Sequence, residues 1–124
     1  MKDIQELKSD LKLEHFYFSH CSIERGRTVK TGDVRMFLSK EIKEVSIHAY
    51  EVILSLFATK EDLKMQIVAN GMFTVKADVA DEDELIQHNA VAIMFPYIRS
   101  QATLLTSQPG MKPIVIPIVN TNKI

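Results

Sequence analysis

Four side chains of metal-ligating type, His15, His20, Cys21 and His48, lie in the first half of the chain. On an extended strand His15 and His20 have opposite parity and point to opposite faces. No Cys-x-x-Cys or His-x-x-x-His pair occurs, so the spacing of a tetrahedral metal site is missing. Asp81-Glu82-Asp83-Glu84 is the densest acidic run. Without a glycine-turn loop it reads as the first turn of a helix, where negative charge meets the helix dipole, and not as a cation loop. Cys21 would act as a nucleophile only beside a base, and nothing beyond composition supplies one. The glycines stand scattered at 26, 32, 71 and 110, so no loop cradles a phosphate. The chain is therefore expected to be neither an enzyme nor a holder of metal or cofactor.

The elements that would position these residues follow from periodicity. Met94, Ile98, Ala102 and Leu105 recur at spacings of four, four and three and share one helix face, with Tyr97, Gln101 and Leu104 in a second row beside it. Pro96 lacks an N–H and presses on the carbonyl four residues back, which predicts two helical pieces. One opens in the acidic run and the other runs from about Ala90 to Ser107, ended by Pro109 and Gly110.

Upstream the pattern is strand. From Leu11 to Glu24 the chain alternates loosely, with Leu11, Leu13, Tyr17, Cys21 and Ile23 on one parity and Phe16 and Phe18 on the other, as in a strand with both faces partly covered. Arg25-Gly26-Arg27 and Thr31-Gly32-Asp33 carry turn chemistry. Val34, Met36 and Leu38 open a second strand, predicted to end in the charged run Lys40 to Glu44. Parity then slips between Val45, Ile47 and Ala49 and the even series Tyr50 to Ala58, which a bulge or bend near Ala49 would absorb. After a turn at 59–62, Leu63, Met65, Ile67, Ala69, Gly71, Phe73, Val75 and Ala77 keep one parity against a mostly polar opposite face. Gly71 inside that strand marks a twist or a close backbone approach. Four strands followed by helix give an α+β fold, a four-stranded antiparallel sheet with a C-terminal helix packed on one face, as one domain over 1–124.

The C-terminal arm combines Ile114, Val115, Ile116 and Ile118 with Pro113 and Pro117, each of which removes a backbone donor. That keeps the arm out of a central strand and predicts an extended segment lying against its own sheet, a sister subunit or a bound chain. The bounds of the whole chain agree with a binder. A hydrophobic content of 46% in 124 residues is enough to bury a core. A net charge of −1 gives no electrostatic case for nucleic acid or anionic lipid. A lone cysteine forms no internal disulfide. The charged N-terminus lacks the apolar stretch of a signal peptide, and no run is long enough to insert in a membrane, so a cytoplasmic location is expected.

Four ordered elements resemble one family. Gly71-Met72-Phe73, then Phe95-Pro96-Tyr97-Ile98-Arg99, then Leu104-Leu105-Thr106-Ser107, then 113–120 with its Pro and Asn residues are similar, in order and spacing, to the SecB protein-export chaperones. Tyr50-Glu51-Val52 also looks like that family's sequence, and the resemblance spans roughly 11–120. It implies a small α+β subunit assembling as a homo-oligomer, a dimer of dimers. Such a subunit holds unfolded or nascent polypeptides without ATP along apolar grooves. Export members hand clients to the ATPase SecA, and others serve an antitoxin in a toxin-antitoxin operon. Of the acidic SecA-contact positions on the outer sheet face, Glu24 keeps its charge as a partner-binding candidate; His20 and Gln66 stand where acids are expected, and Lys64 replaces an apolar residue. The sequence stops at Ile124, short of most of the family's second long helix, which predicts shallower or more open grooves.

A groove for unfolded chains needs adaptable apolar and aromatic area, which nominates Phe37, Met72, Phe73, Met94, Phe95, Tyr97, Ile114, Ile116 and Ile118 as client-binding residues. Ordinary core packing competes for each, most strongly for Phe73. Phe37, opposite the Val34, Met36 and Leu38 face, suits an exposed contact as well as packing. The alternative of another class is a small-molecule protein or enzyme using the cleft between helix and sheet. It predicts an enclosed pocket with convergent polar groups and perturbed titration.

Overall fold

In the computed structural model, which describes residues 1–7, 9–26 and 32–124, a short 3-10 turn (Ile4–Leu7) leads into β1 (Leu11–Arg25). β2 (Arg35–Ser46), β3 (Ala49–Lys60), β4 (Leu63–Val75), α1 (Glu82–Thr106) and a second 3-10 turn (Thr121–Lys123) follow. The strands form one antiparallel sheet in the order β1-β4-β3-β2. β2–β3 and β3–β4 are hairpins, while the link from β1 to β2 joins the two opposite edges. Of the turn residues expected in that link, Arg27 and Thr31 lie outside the described residues.

Alternation decides which face is core. Tyr50, Val52, Leu54, Leu56 and Ala58 of β3, and Leu63, Met65, Ile67, Ala69, Phe73 and Val75 of β4, are all buried on the inner face. Ala77, extrapolated onto the same series, falls beyond the end of β4 and is exposed. The loose alternation of β1 has a specific cause. Register shifts at Leu13/His15 and Phe18/His20 insert extra residues, so Leu11, Leu13, Phe16, Phe18 and Ile23 all face the core side despite their mixed parity. The same shifts put His15, opposite Met72, and His20, opposite Val68, on one outer face and not on two. They still stand four β4 residues apart, roughly 13 Å along the strand.

Two boundaries differ from the sequence reading. β2 continues through Lys40 to Glu44 instead of ending there, because an edge strand can place these charges toward solvent on both faces. The reversal falls at Ile47-His48, with His48 in the left-handed region (φ 59°) and a register shift at Glu44/Ser46. A tight turn plus bulge therefore takes up the parity slip expected at Ala49.

The helix is one element, not two. Asp81 caps it, its carboxylate accepting the Glu84 N–H at 3.2 Å, and Glu82, Asp83 and Glu84 fill the first turn. Pro96 lies within it on the exposed side, as does Ala92, whose carbonyl loses its partner toward solvent. Val91, Met94, Phe95 and Ile98 on the opposite side are buried and hold both halves to the sheet. α1 packs chiefly on β4 and also touches β3 and β1. Gly71 makes the close approach possible: a Cβ there would sit 2.9 Å from Met94 Sδ and 2.9 Å from Phe73 Cε2.

Candidate functional site

The row Arg99, Thr103 and Thr106, at spacings of four and three, runs along one side of α1 and fastens the C-terminal arm. The Thr103 hydroxyl donates to the Ile114 carbonyl at 2.8 Å. The buried Thr106 Oγ1 accepts the Ile114 N–H at 2.8 Å while donating to the Ala102 carbonyl. Arg99 Nε donates to the Ile116 carbonyl at 3.2 Å. Side chains of the helix thus do for the arm what a neighbouring strand would otherwise do. Two prolines cost the arm donors, and these three residues satisfy the N–H and carbonyl of Ile114 and the carbonyl of Ile116. Ile114 and Ile116 point inward and are buried, whereas Val115 is 72% and Ile118 89% exposed.

An open groove lies on each side of the arm. One, of about 460 Å³, is bounded by Val34 just before β2, Met36 of β2, Leu63 of β4, and Met111, Pro113 and Val115 of the arm, with Asp33, Lys60 and Lys112 among its charged lining. Its polar rim is tied down: the Arg25 guanidinium donates to the carbonyls of Pro109 and Gly110, each at 3.2 Å, and the Gly26 N–H donates to the Asp62 carbonyl at 2.8 Å. Gly110, at φ 76°, makes the turn that brings those carbonyls to Arg25. The other groove, of about 540 Å³, runs between Pro96, Ser100 and Leu104 of the helix and Val115 and Ile116 of the arm. Val115 borders both.

The nominated residues are distributed over several places. Phe73 and Met94 are fully buried and Phe95 nearly so, so none of the three presents a surface to a ligand in this subunit. Ile114 and Ile116 form the arm's inward side, and Ile118 its outward side. Tyr97 is half exposed and lies against Phe16, ring centres 4.7 Å apart. Phe37 and Met72 stand on the outer face of the sheet, away from both grooves, as does Glu24 opposite Lys64. Sequence reasoning missed Thr103 and Thr106, although their spacing with Arg99 was a usable signal.

Among the described residues, the groups with displaced titration lie outside both grooves. Glu82, at the start of α1, accepts from the Tyr50 hydroxyl and pairs with His48 Nδ1, which anchors the helix start to the β2–β3 turn. The Tyr50 bond, then the His48 bond, hold the Glu82 carboxyl below its ordinary range; the same bond, with burial, pushes the Tyr50 phenol well up. The Thr74 hydroxyl, with help from Lys12, lowers Glu14. No group of three or more metal-ligating side chains comes together among the described residues, and no helix there is long and apolar enough to cross a membrane.

A four-stranded antiparallel sheet of this order, with one helix on its inner face and an extended apolar arm pinned to that helix, is the SecB-like α+β fold. Among solved structures it superposes on the Mycobacterium tuberculosis Rv1957 SecB-like chaperone, determined in complex with a ChAD peptide from the Rv1956 HigA1 antitoxin, with a TM-score of 0.74. That match covers 89% of this chain and 91% of the other at 14% identity. A protein of unknown function from Streptococcus agalactiae matches with a TM-score of 0.54, over 87% of this chain and 97% of that one, at 9% identity. No protein-family model matches the chain, and no curated protein matches it in sequence.

Proposed function

We propose that this protein is a SecB-like chaperone that binds unstructured polypeptide segments, without ATP, in the two grooves beside its C-terminal arm. The observation that carries the reading is the arm itself. It is held by Thr103, Thr106 and Arg99 on one side, yet it leaves Val115 and Ile118 uncovered, with Val115 between two open channels of mixed apolar and polar lining. Fixed backbone with uncovered aliphatic area suits a ligand recognised by contact area and not by fixed hydrogen bonds. The titratable cluster at Glu82 lies elsewhere, which favours a binder over an enzyme working in a cleft.

The similarity to a chaperone holding an antitoxin peptide supports a polypeptide ligand and a narrower form of the same reading, a dedicated chaperone of one antitoxin. Export is not included, because His20, Gln66 and Lys64 leave the outer sheet face without the acidic surface the resemblance implied for SecA. A cytoplasmic homo-oligomer, a dimer of dimers, is part of the proposal, with the exposed Tyr97, outside both grooves, available for contact between subunits.

The test is dilution of a chemically denatured protein from denaturant with light scattering as readout. A general chaperone suppresses aggregation at a few-fold molar excess. A dedicated one leaves generic clients unprotected but binds one unstructured antitoxin segment tightly. Failure in both assays overturns the reading.

A further inference from the structure

The geometry points to Arg99 as the residue that makes the groove between α1 and the arm selective for acidic segments. Its occupant is an extended stretch of polypeptide in which an Asp or Glu side chain alternates with apolar ones. This selectivity rests on the proposed binding of polypeptide in that groove and adds a rule for which segments fit.

The Arg99 guanidinium is only half committed. Nε donates to the Ile116 carbonyl at 3.2 Å, while Nη1 and Nη2 have no hydrogen-bond or ion-pair partner among the described residues. The planar group offers a carboxylate two edges, one made by Nε with one Nη and the other by the two Nη atoms. The arm's carbonyl takes the first edge. That bond orients the plane and leaves the end edge, with its two parallel N–H donors, for a bidentate acceptor. Because the long side chain is already restricted by its tie to the arm, less ordering remains to oppose the pairing.

Charge complementarity names the acceptor. Among the described residues lining this groove Arg99 is the one charged side chain, and none is acidic. It is partly buried beside Pro96, Leu104 and Val115, so its charge is screened less than that of a solvated surface cation. The Ser100 hydroxyl, exposed in the same groove, adds a further donor. The groove on the other side of the arm differs. It holds Asp33 and Asp62 as well as Arg25, Lys60 and Lys112, with Lys60 and Asp62 paired at 3.5 Å, so an acidic segment there meets repulsion as well as attraction.

Spacing gives the rest of the rule. Arg99 and Leu104 are five residues apart on α1, about 7.5 Å along its axis. Residues i and i+2 of an extended chain share one face and lie about 6.6 Å apart. A segment with its carboxylate on Arg99 therefore sets a residue two positions away beside the exposed Leu104, where an apolar side chain buries area against it.

Isothermal titration calorimetry with short peptides tests this. Leu or Val alternates with Ser in each probe, the central apolar position is replaced by Glu, Gln or Lys, and both ends are blocked so that no chain-end carboxylate is present. The Glu peptide is expected to bind about tenfold tighter than the Gln peptide, and the Lys peptide more weakly than either. Arg99→Gln removes the charge and the fork and is expected to bring the Glu-to-Gln ratio to within about twofold of one. A loosened arm alone would weaken both peptides and leave that ratio unchanged, so the ratio separates recognition from support. Ser100→Asp keeps the Ile116 bond, supplies a competing carboxylate from an exposed position, and should collapse the same ratio even if Arg99→Gln does not fold. Equal binding of the Glu and Gln peptides by the parent protein overturns the selectivity and leaves polypeptide binding in the groove standing. A ratio that neither variant changes overturns the role of Arg99. Binding of none of the peptides overturns the general groove reading and the selectivity with it. A Gln peptide with a free C-terminus that binds as tightly as the blocked Glu peptide assigns the fork to a chain end and overturns the side-chain form.

Discussion

Replacing Gly71 by alanine adds one methyl group at the tightest point between β4 and α1. That methyl would lie 2.9 Å from Met94 Sδ, 2.9 Å from Phe73 Cε2 and 3.3 Å from Met94 Cε, whereas comfortable carbon contacts are about 3.5–4.0 Å. Phe73 and Met94 are both fully buried, so neither has open space to move into. The backbone at Gly71 is not left-handed, so alanine itself adopts it without strain and gains about 0.4–1 kcal/mol by restricting the unfolded chain. Overpacking of this kind costs about 1–3 kcal/mol, so mid-range values of the two effects leave a net loss of about 1–2 kcal/mol. For a chain of this size that lowers Tm by about 3–10 °C. Urea unfolding followed by circular dichroism, at one fixed protein concentration, measures it directly. In a Met94→Ala background, where the sulfur and terminal methyl are gone, the same substitution should cost about 1 kcal/mol less. A neutral or stabilising Gly71→Ala, or an equal cost in both backgrounds, would refute the close-approach argument.

Thr106→Val keeps the side-chain shape but strands the buried Ile114 N–H, so a loss of about 1–3 kcal/mol is expected, together with faster amide exchange along the arm. Glu82 has its carboxyl pKa lowered on folding, so its contribution is present above the unfolded-state pKa and disappears as pH falls through the folded value. Glu82→Gln should therefore flatten the decline in urea midpoint from about pH 5 downward, and an unchanged slope would count against the anchor at the helix start. Val115→Asp and Ile118→Asp, at exposed positions, should change stability by less than about 0.5 kcal/mol. Both should weaken protection of a denatured client by about tenfold, or roughly 1.4 kcal/mol. Undiminished protection would place the binding surface somewhere other than the arm.

The inner face of β4 was legible because it follows an unbroken period of two, and the inner face of α1 because Met94, Ile98, Ala102 and Leu105 keep a helical period. β1 was harder, since its two register shifts break the parity on which such reading depends, and the positions of the shifts are set by pairing with β4. The end of β2 was misread for a related reason. A charged run looks like a turn unless the strand is known to lie at an edge, and strand order is a tertiary fact. Pro96 shows the converse: the local rule predicts a break, but buried contacts on either side hold the helix through it.

By itself the sequence determined the α+β class, the buried faces of β4 and α1 and the apolar character of the arm, because each is written in local spacing, and it marked Gly71 as either a twist or a close approach. Only the tertiary structure decided that Phe73 and Met94 have no surface while Val115 and Ile118 do, and that Thr103 and Thr106 hold the arm. Those outcomes depend on which elements meet, and one residue's chemistry does not specify what covers it.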